Sequence, residues 1–326
     1  MKLGIIGGGA WGTALAQVAA AGGEETLIWA REPEVVSGIN AEHQNALFLP
    51  GIPLSKTIRA TSSLADLAAC EALLVVTPAQ HMRAVLQGVD FGRPLILCAK
   101  GIEAGTQLLM SEVAAEACPS APIAVLSGPT FAHEVAKGLP TAITLACEDE
   151  ALGRQLAARI ARPSFRPYVS SDVIGAEIGG AVKNVLAIAC GVVEGAGLGQ
   201  NARASLIARG FAEMTRFGLA RGGRAETLAG LSGLGDLVLT CSSTSSRNFS
   251  LGKGLGEGQA AATLLADRRT IAEGAFTAPV LQQAAQAIGV EMPIVDAVCA
   301  LLAGEMDVKA VMAALLSRPL KEEARG

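Results

Sequence analysis

The sequence predicts an α/β N-terminal domain with a doubly wound parallel sheet, followed by an all-α C-terminal domain. Three observations support this fold class. The chain has 326 residues, more than one small domain usually contains. In the first half, short apolar runs alternate with amphipathic helical patterns, which is typical of a parallel sheet covered by helices on both faces. Beyond about residue 170 the helical patterns continue and strand patterns stop.

Six apolar runs of the first half are the predicted strands. Amphipathic stretches rich in Ala and Leu lie between several of them, and those at 13–21 and 108–117 are predicted helices. Right-handed crossovers between such strands and helices give a doubly wound sheet. The predicted strands are 3–6, 26–30, 72–76, 95–99, 123–126 and 141–146.

The second half is predicted to be helical apart from one segment. Residues 231–258 are dominated by Gly, Ser and Thr, and we expect a long irregular loop there. A short link at 163–171 is the expected boundary, which gives a dinucleotide-binding domain at 1–170 and a substrate domain at 171–326. The predicted helices are 172–193, 202–219, 260–265, 279–287 and 294–302.

A glycine loop joins the first strand to the first helix. The spacing Gly7-x-Gly9-x-x-Gly12 follows the strand directly, and Thr13 then opens the helix. In this context the glycines permit a tight turn, a close backbone approach to a pyrophosphate and close packing of helix on strand. The alternative is an ordinary strand-to-helix turn. The loop therefore predicts a Rossmann-type dinucleotide site, with the phosphates at the N-terminus of the helix.

The residue after the second strand indicates which dinucleotide is preferred. NAD-specific sites usually carry an acidic residue there, which accepts a hydrogen bond from the ribose 2′-hydroxyl. Here the strand leads into Arg31, which can bind a 2′-phosphate, and Glu32 follows at once. We therefore expect NADP(H), and Glu32 keeps NAD(H) open.

One cation stands in a mostly apolar helical pattern of the second half. Lys183 lies beside Asn184 in this pattern, and burial is one way by which a lysine becomes an acid or base near neutral pH. The alternative is a lysine whose ammonium group reaches solvent at the edge of the helix. Asp236, in a glycine-lined turn, is a candidate partner for Lys183, and its alternative role is a turn cap.

The pair Arg247-Asn248 combines a guanidinium with an adjacent amide, a combination that suits a phosphate dianion. The alternative for Arg247 is a solvated surface charge. Two further segments, 100–103 and 127–132, follow predicted strands and so lie at the carboxyl edge of the sheet, where ligands of this fold class bind.

Composition excludes several function classes. There are 26 basic and 30 acidic residues and no long basic run, so a nucleic-acid partner is not expected. No apolar run approaches the roughly 18 residues that cross a bilayer, so stable membrane insertion is not expected either. The seven cysteines show no metal-ligand spacing, which favours reduced thiols, a cytoplasmic protein and no metal.

Taken together, these segments resemble the bacterial NAD(P)-dependent glycerol-3-phosphate dehydrogenase family, whose members reduce dihydroxyacetone phosphate. The resemblance extends over essentially the whole chain, in order. The matching segments are GGGAWGTALA, LIWAR, KGIE, SGPTFAHEVAKG, IGGAVKNVLAIACGVVEGAGLGQNARASLIARG, GLSGLGDLVLTCSSTSSRN and TIAEGAFTA.

The resemblance implies roles for individual residues, with Lys183 as the general acid/base. It also implies a cytoplasmic homodimer that supplies sn-glycerol 3-phosphate for phospholipid synthesis. Ala10 departs from the family, many of whose members have serine there. The implied substrate-binding residues are Lys100, Gly128, Thr130, Lys183, Asp236, Ser246, Arg247 and Asn248. The implied cofactor-binding residues are Gly7, Gly9, Ala10, Trp11, Gly12, Arg31, Lys100, Ala132, Arg247, Ile271 and Glu273.

Two other functions fit parts of the pattern. A β-hydroxyacid or 6-phosphogluconate-type dehydrogenase also joins a Rossmann domain to a helical one and uses a lysine, but the Ser246-Arg247-Asn248 sequence speaks against its carboxylate site. A non-catalytic nicotinamide-binding protein would keep the glycine loop and would not need Lys183 in an apolar helix.

Overall fold

The computed structural model describes residues 2–89, 92–266 and 272–318. These residues form two compact units. The first contains the described residues up to 100 and from 108 to 177, and the second contains 101–107 and the residues from 178 onward. The predicted domain division at residue 170 stays a prediction.

The first unit is built on a sheet of eight strands among its described residues. Their order is β3-β2-β1-β4-β5-β6-β7-β8, and every neighbouring pair is parallel except β6 and β7. The order reverses at β1, which is the switch point where this fold class binds ligands. The strands are β1 (Leu3–Ile6), β2 (Thr26–Trp29), β3 (Ile58–Thr61), β4 (Ala72–Val75), β5 (Leu95–Leu97), β6 (Ile123–Ser127), β7 (Thr141–Ala146) and β8 (Phe165–Ser170).

Helices cover both faces of this sheet, as predicted. Ile5 and Leu74 belong to one apolar cluster, and Ile6 and Val75, next to them along the strands, belong to another. Alternate residues of central strands are therefore buried on opposite faces. The helices of the first unit are α1 (Ala10–Ala20), α2 (Pro33–Ser37), α3 (Met82–Leu86), α4 (Met110–Ala117), α5 (Ala132–Ala136) and α6 (Glu150–Ile160).

All six predicted strands are confirmed, and two strands were missed. β3 has a short sequence with only two buried apolar residues, Ile58 and Ala60. β8 occupies the segment that was predicted to be a link, so that prediction was wrong. It lies at the edge of the sheet, and because it contains Pro167 and the half-exposed Tyr168, its sequence is not a continuous apolar run.

In the second unit the described residues form helices and no strand, as predicted. α7 starts in the first unit, and its residues from 178 onward belong to the second. It is long and apolar enough to cross a membrane, but 94% of its most apolar window is buried inside the protein. The helices are α7 (Val173–Gly195), α8 (Gly199–Ala220), α9 (Ala225–Leu228), α10 (Asp236–Thr240), α11 (Arg247–Gly256), α12 (Ala261–Leu265), α13 (Glu273–Ala287), α14 (Pro293–Ala303) and α15 (Val308–Leu316).

The prediction of an irregular loop at 231–258 was wrong, because the segment contains α10 and α11. Its glycines serve close helix packing. A Cβ atom on Gly252 would collide with the carbonyl oxygen of Ile188, and one on Gly191 with that of Phe249. The glycine content that suggests a loop is the condition for α11 to lie directly against α7.

Candidate active site

The glycine loop makes a tight turn between β1 and α1. Gly7 has a φ of 128°, a value that favours glycine, and its N–H donates to the carbonyl of Trp29 at 3.0 Å. A Cβ atom on Gly12 would collide with the carbonyl oxygen of Gly7. At Gly9, by contrast, no atom lies within 4 Å of an ideal Cβ position. Protein atoms therefore fill the space where side chains of residues 7 and 12 would lie, whereas the corresponding space at Gly9 is empty.

The N-terminus of α1 has the properties of a phosphate site. The helix begins at Ala10, with Gly9 as its N-cap, and no side chain in the described residues caps it. The first N–H groups of a helix lack partners within it and carry partial positive charge. Ala10, Trp11 and Ala132, the first residue of α5, pack against the same apolar cluster.

Five buried polar atoms of the first unit have no hydrogen-bond partner among the described residues, and two of them are Nδ1 of His43 and Nε of Arg162. The other three are relevant to a cofactor site. They are Nε1 of Trp11, Oγ1 of Thr77 and Oγ of Ser127. Thr77 lies just beyond β4 and Ser127 ends β6, so both are at the carboxyl edge of the sheet. Buried polar groups nearly always have partners. Unpartnered atoms beside an open helix N-terminus fit a bound dinucleotide.

Arg31 and Glu32, whose sequence signals conflict, form an ion pair. The guanidinium Nη2 lies 3.1 Å from Oε1 of Glu32, and the Arg31 side chain is 79% exposed. An ion pair this exposed contributes little free energy. The pair therefore leaves Arg31 able to exchange the carboxylate for another anion.

Lys100, Gly128 and Thr130 lie together in the first unit. The Nζ of Lys100 donates to the carbonyl oxygen of Gly128 at 3.0 Å, and the hydroxyl of Thr130 donates to the same oxygen at 3.3 Å. β5 and β6 are parallel neighbours, so the segments after them emerge at the same edge of the sheet. This explains why residues 28 positions apart meet.

Lys183 is buried in the second unit and bonds to Asp236 and Thr240. Its Nζ donates to Oδ1 of Asp236 at 2.9 Å and to Oγ1 of Thr240 at 2.8 Å. The Thr240 hydroxyl also lies 3.2 Å from that Asp236 oxygen. Lys183 is 7% exposed and Asp236 is fully buried. The opposite charges offset part of each other's desolvation cost, and they fix the position of the ammonium group.

The thiol of Cys241 lies close enough to Lys183 and Asp236 for their charges to affect its pKa. Cys241 follows Thr240 directly and is buried. A hydrogen bond with Cys190, together with burial, holds the pKa of the Cys241 thiol well above its usual range. The thiol therefore stays neutral at physiological pH and adds no negative charge beside the Lys183–Asp236 ion pair.

Ser246, Arg247 and Asn248 lie at the N-terminus of α11. The Ser246 hydroxyl accepts from the N–H of Phe249 at 3.2 Å and caps the helix, while Arg247, its first residue, is exposed. Hydroxyl, guanidinium and the first helical N–H groups together suit a phosphate group.

Asn248 is buried and joins three helices of the second unit. Its Nδ2 donates to Oδ1 of Asn184 on α7 at 3.0 Å, and its Oδ1 accepts from the N–H of Gly274 at 2.9 Å. Gly274 is adjacent to Glu273, which begins α13, so a second predicted residue lies beside this link. Ile271, also predicted to contact the cofactor, lies outside the described residues.

Three residues of these sites received no role in the sequence analysis. They are Asn45, which bonds to the glycine loop, Asn184 and Thr240. Thr240 lies one helical turn after Asp236, a spacing that places two residues on the same face of a helix. Because this segment was predicted to be a loop, that spacing was given no weight. Residues 2–89, 92–266 and 272–318 contain no group of three or more His, Cys, Asp or Glu able to hold a metal ion.

Comparison with known proteins identifies relatives along the whole chain. The family model described as NAD-dependent glycerol-3-phosphate dehydrogenase N-terminus matches residues 2–153, and the corresponding C-terminus model matches residues 172–313. Glycerol-3-phosphate dehydrogenase (NAD(P)+) of Erythrobacter litoralis is 65% identical over 323 residues, covering 99% of this chain and 98% of the relative. The Sphingopyxis alaskensis enzyme of the same name is 65% identical over 325 residues, with the same coverage.

The fold agrees with this relationship. The crystal structure of glycerol-3-phosphate dehydrogenase from Coxiella burnetii matches with a TM-score of 0.92 and 38% identity, covering 97% of this chain and 99% of that one. Both halves of the sequence and the fold point to the same relatives. The chain belongs to the NAD-dependent glycerol-3-phosphate dehydrogenase family.

Proposed function

We propose that this chain catalyses reversible hydride transfer between NAD(P)H and dihydroxyacetone phosphate, giving sn-glycerol 3-phosphate for phospholipid synthesis. As a member of its family it is an NAD(P)-dependent oxidoreductase that acts on a CH–OH group. The observation that carries the proposal is the buried Lys183 ammonium, held by Asp236 and Thr240. A protein that only binds dinucleotides has no use for such a group.

The first unit is proposed to bind the dinucleotide. Gly7, Gly9 and Gly12 shape the turn, and the N-terminus of α1, with Ala10 and Trp11, faces the phosphates. Ala132, Lys100, Arg247, Glu273 and Ile271 are assigned to the same cofactor by the family resemblance. When bound, the reduced cofactor supplies the hydride that reaches the carbonyl carbon of the substrate.

Lys183 is proposed as the general acid/base. As the carbonyl is reduced, its oxygen becomes an alkoxide, and the ammonium group of Lys183 donates a proton to it and stabilises its charge. Asp236 and Thr240 orient Nζ through hydrogen bonds of 2.9 and 2.8 Å. In the reverse direction Lys183 accepts the proton from the hydroxyl group of sn-glycerol 3-phosphate.

Two groups of residues are proposed to hold the substrate. Ser246, Arg247 and Asn248 bind the phosphate at the N-terminus of α11, where Ser246 and Asn248 are buried polar groups and Arg247 supplies an exposed cation. Lys100, Gly128 and Thr130 form the second group. Binding energy from the phosphate, which does not react, orients the carbonyl for reduction.

The finer assignments are part of the proposal. We propose a preference for NADP(H), supported by the exposed Arg31 after β2, with NAD(H) as the alternative because Glu32 is adjacent. A cytoplasmic homodimer, with functional domains divided near residue 170, rests on the family resemblance and the sequence pattern alone.

Replacing Lys183 tests the mechanism. We expect Lys183→Ala to lower kcat by about 1,000-fold or more, because proton donation and charge stabilisation are both lost. The dissociation constant of NAD(P)H, measured by fluorescence titration, should change little. Near-normal turnover in this variant would refute the assignment.

A second variant separates chemistry from folding. Lys183→Ala leaves the Asp236 carboxylate buried without its cation, which we expect to cost about 3–5 kcal/mol of stability. Adding Asp236→Asn removes the buried charge, so the double variant should regain stability in urea unfolding while its turnover stays low. Recovery of turnover together with stability would mean that Lys183 has only a structural role.

A further inference from the structure

Asn45 is a buried polar residue bonded to the glycine loop from outside it. It is 1% exposed. Its Nδ2 donates to the carbonyl oxygen of Gly8 and to Oγ1 of Thr13, both at 2.8 Å. The Thr13 hydroxyl in turn lies 3.4 Å from the same Gly8 oxygen. Asn45 thus reaches the loop across 37 residues of sequence and bonds to a peptide at its centre.

The orientation of the Asn45 amide follows from its partners. Oδ1 accepts from the N–H of Phe48 at 3.1 Å, while Nδ2 faces a carbonyl and a hydroxyl oxygen. A flipped amide would put its oxygen against the Gly8 carbonyl and its NH₂ against the Phe48 N–H. Both contacts would be repulsive, so Asn45 presents a donor to Gly8.

The segment that carries Asn45 is anchored in the core. Leu49, Ile52 and Leu54 follow within nine residues of Asn45 and are all buried in the apolar cluster that also contains α1 residues. The N–H of Leu49 donates to the Asn45 carbonyl at 2.9 Å. A buried, fully bonded amide on an anchored turn can hold the loop in one conformation.

The bond to Gly8 sets the direction of the next N–H group. The Gly8–Gly9 peptide is trans, so its N–H points opposite to the carbonyl that Asn45 holds. That N–H belongs to Gly9, where an ideal Cβ has no atom within 4 Å. Rotating this peptide would break the Asn45 bond and turn a carbonyl dipole toward the open side, where it would repel an anion.

We propose that Asn45 is a positioning residue for the cofactor pyrophosphate. It holds the Gly8–Gly9 peptide so that the N–H of Gly9 faces the open side of the loop, and Thr13 assists it. This inference rests on the proposed dinucleotide binding. Because the pyrophosphate is common to NADH and NADPH, Asn45 contributes equally to the affinity for both.

The test is the dissociation constant of each reduced cofactor for Asn45→Ala, measured by fluorescence titration. We expect both dissociation constants to rise by about 10-fold, because Asn45 no longer holds the Gly8–Gly9 peptide with its N–H toward the pyrophosphate. At saturating cofactor, kcat and the KM for dihydroxyacetone phosphate should be unchanged. The matched control is Asn40→Ala, because Asn40 makes similar bonds to the backbone of Ala60, outside the loop, at 2.9 Å. In this control the dissociation constants of both cofactors should stay at the wild-type values.

A second variant keeps the proposal testable if Asn45→Ala does not fold. Thr13→Val retains the side-chain shape and removes one acceptor of Asn45, and we expect both dissociation constants to rise by about 3-fold. If Asn45→Ala lowers the melting temperature and leaves both constants at the wild-type value, the residue is structural and the inference is overturned. If wild-type protein binds neither cofactor, the proposed function itself fails, which is a different outcome.

Discussion

At the residue scale, the defining feature is a pair of opposite charges removed from water. Lys183 and Asp236 lie 2.9 Å apart, with side chains 9% and 1% exposed. Such a pair gives little net stability, because the desolvation of both charges consumes most of the attraction. Its benefit is positional: the ammonium group cannot move away from Asp236 and Thr240. We infer that the second unit keeps this costly pair for chemistry.

Arg31 carries the prediction about the cofactor. We expect Arg31→Asp to raise the KM for NADPH at least about 10-fold more than the KM for NADH, because a 2′-phosphate loses a cation and meets a carboxylate. Steady-state kinetics with both cofactors measure this. Arg154→Asp is the matched control, since Arg154 forms a similarly exposed pair with Glu150 at 3.1 Å on α6. An equal effect of Arg31→Asp on the KM values of both cofactors would contradict the NADP(H) assignment.

The residues that sequence could and could not identify differ in a physical way. Lys183 and Asp236 attract notice because each is charged in an apolar or glycine-rich setting. Thr240 and Asn45 are neutral, and the bonds that give them a role span 57 and 37 residues of chain. Only the folded structure brings those partners together, so no local pattern marks these residues.

At the element scale, a buried carboxylate caps α14. Glu213 on α8 is 2% exposed, and its oxygens accept from the N–H groups of Ile294 and Val295 at 2.8 and 3.4 Å. Burial raises the pKa of Glu213 to about 7, against the opposing effect of these two hydrogen bonds. Nearby Arg216 lowers the pKa and Asp296 raises it, both with smaller effects.

This cap makes the stability of the protein depend on pH. The folded pKa of about 7 lies above the reference value of 4.5, so the folded state binds the extra proton between these values. The stability that this proton on Glu213 contributes is fully present below the pKa of the unfolded state. It is lost as the pH rises through about 7. We expect a loss on the order of 3 kcal/mol across this window.

Glu213→Gln should remove that dependence, because the neutral amide does not titrate, while its oxygen can still accept from the N–H of Ile294. Urea unfolding of wild type and variant at several pH values measures it, since other titrating groups cancel in the difference. The exposed Glu150 provides the control: Glu150→Gln should leave the pH slope unchanged. Parallel curves for wild type and Glu213→Gln would contradict the cap assignment.

Helix packing explains where element prediction failed. Gly252 of α11 admits the backbone of Ile188, and Gly191 of α7 admits that of Phe249. In sequence, a glycine needed for close packing looks the same as a glycine in a loop. The strands of the first unit were predictable because central parallel strands are continuously apolar, whereas the edge strand β8 is not.

At the scale of the whole molecule, each unit holds a distinct part of the proposed chemistry. The first has an open glycine loop beside buried, unpartnered polar atoms, and the second has the Lys183 ion pair and the N-terminus of α11. The sequence predicts the class of both units. It leaves the cofactor preference open, because Arg31 and Glu32 are neighbours with opposite implications.

The central claim is that this chain reduces dihydroxyacetone phosphate with a nicotinamide cofactor. The direct measurement is the absorbance of NADPH and of NADH at fixed enzyme concentration, with and without dihydroxyacetone phosphate. We predict rapid cofactor oxidation that requires dihydroxyacetone phosphate and yields sn-glycerol 3-phosphate. Two results would contradict the claim. One is cofactor binding without any oxidation when dihydroxyacetone phosphate is present, and the other is turnover of the cofactor only with a substrate of the β-hydroxyacid type.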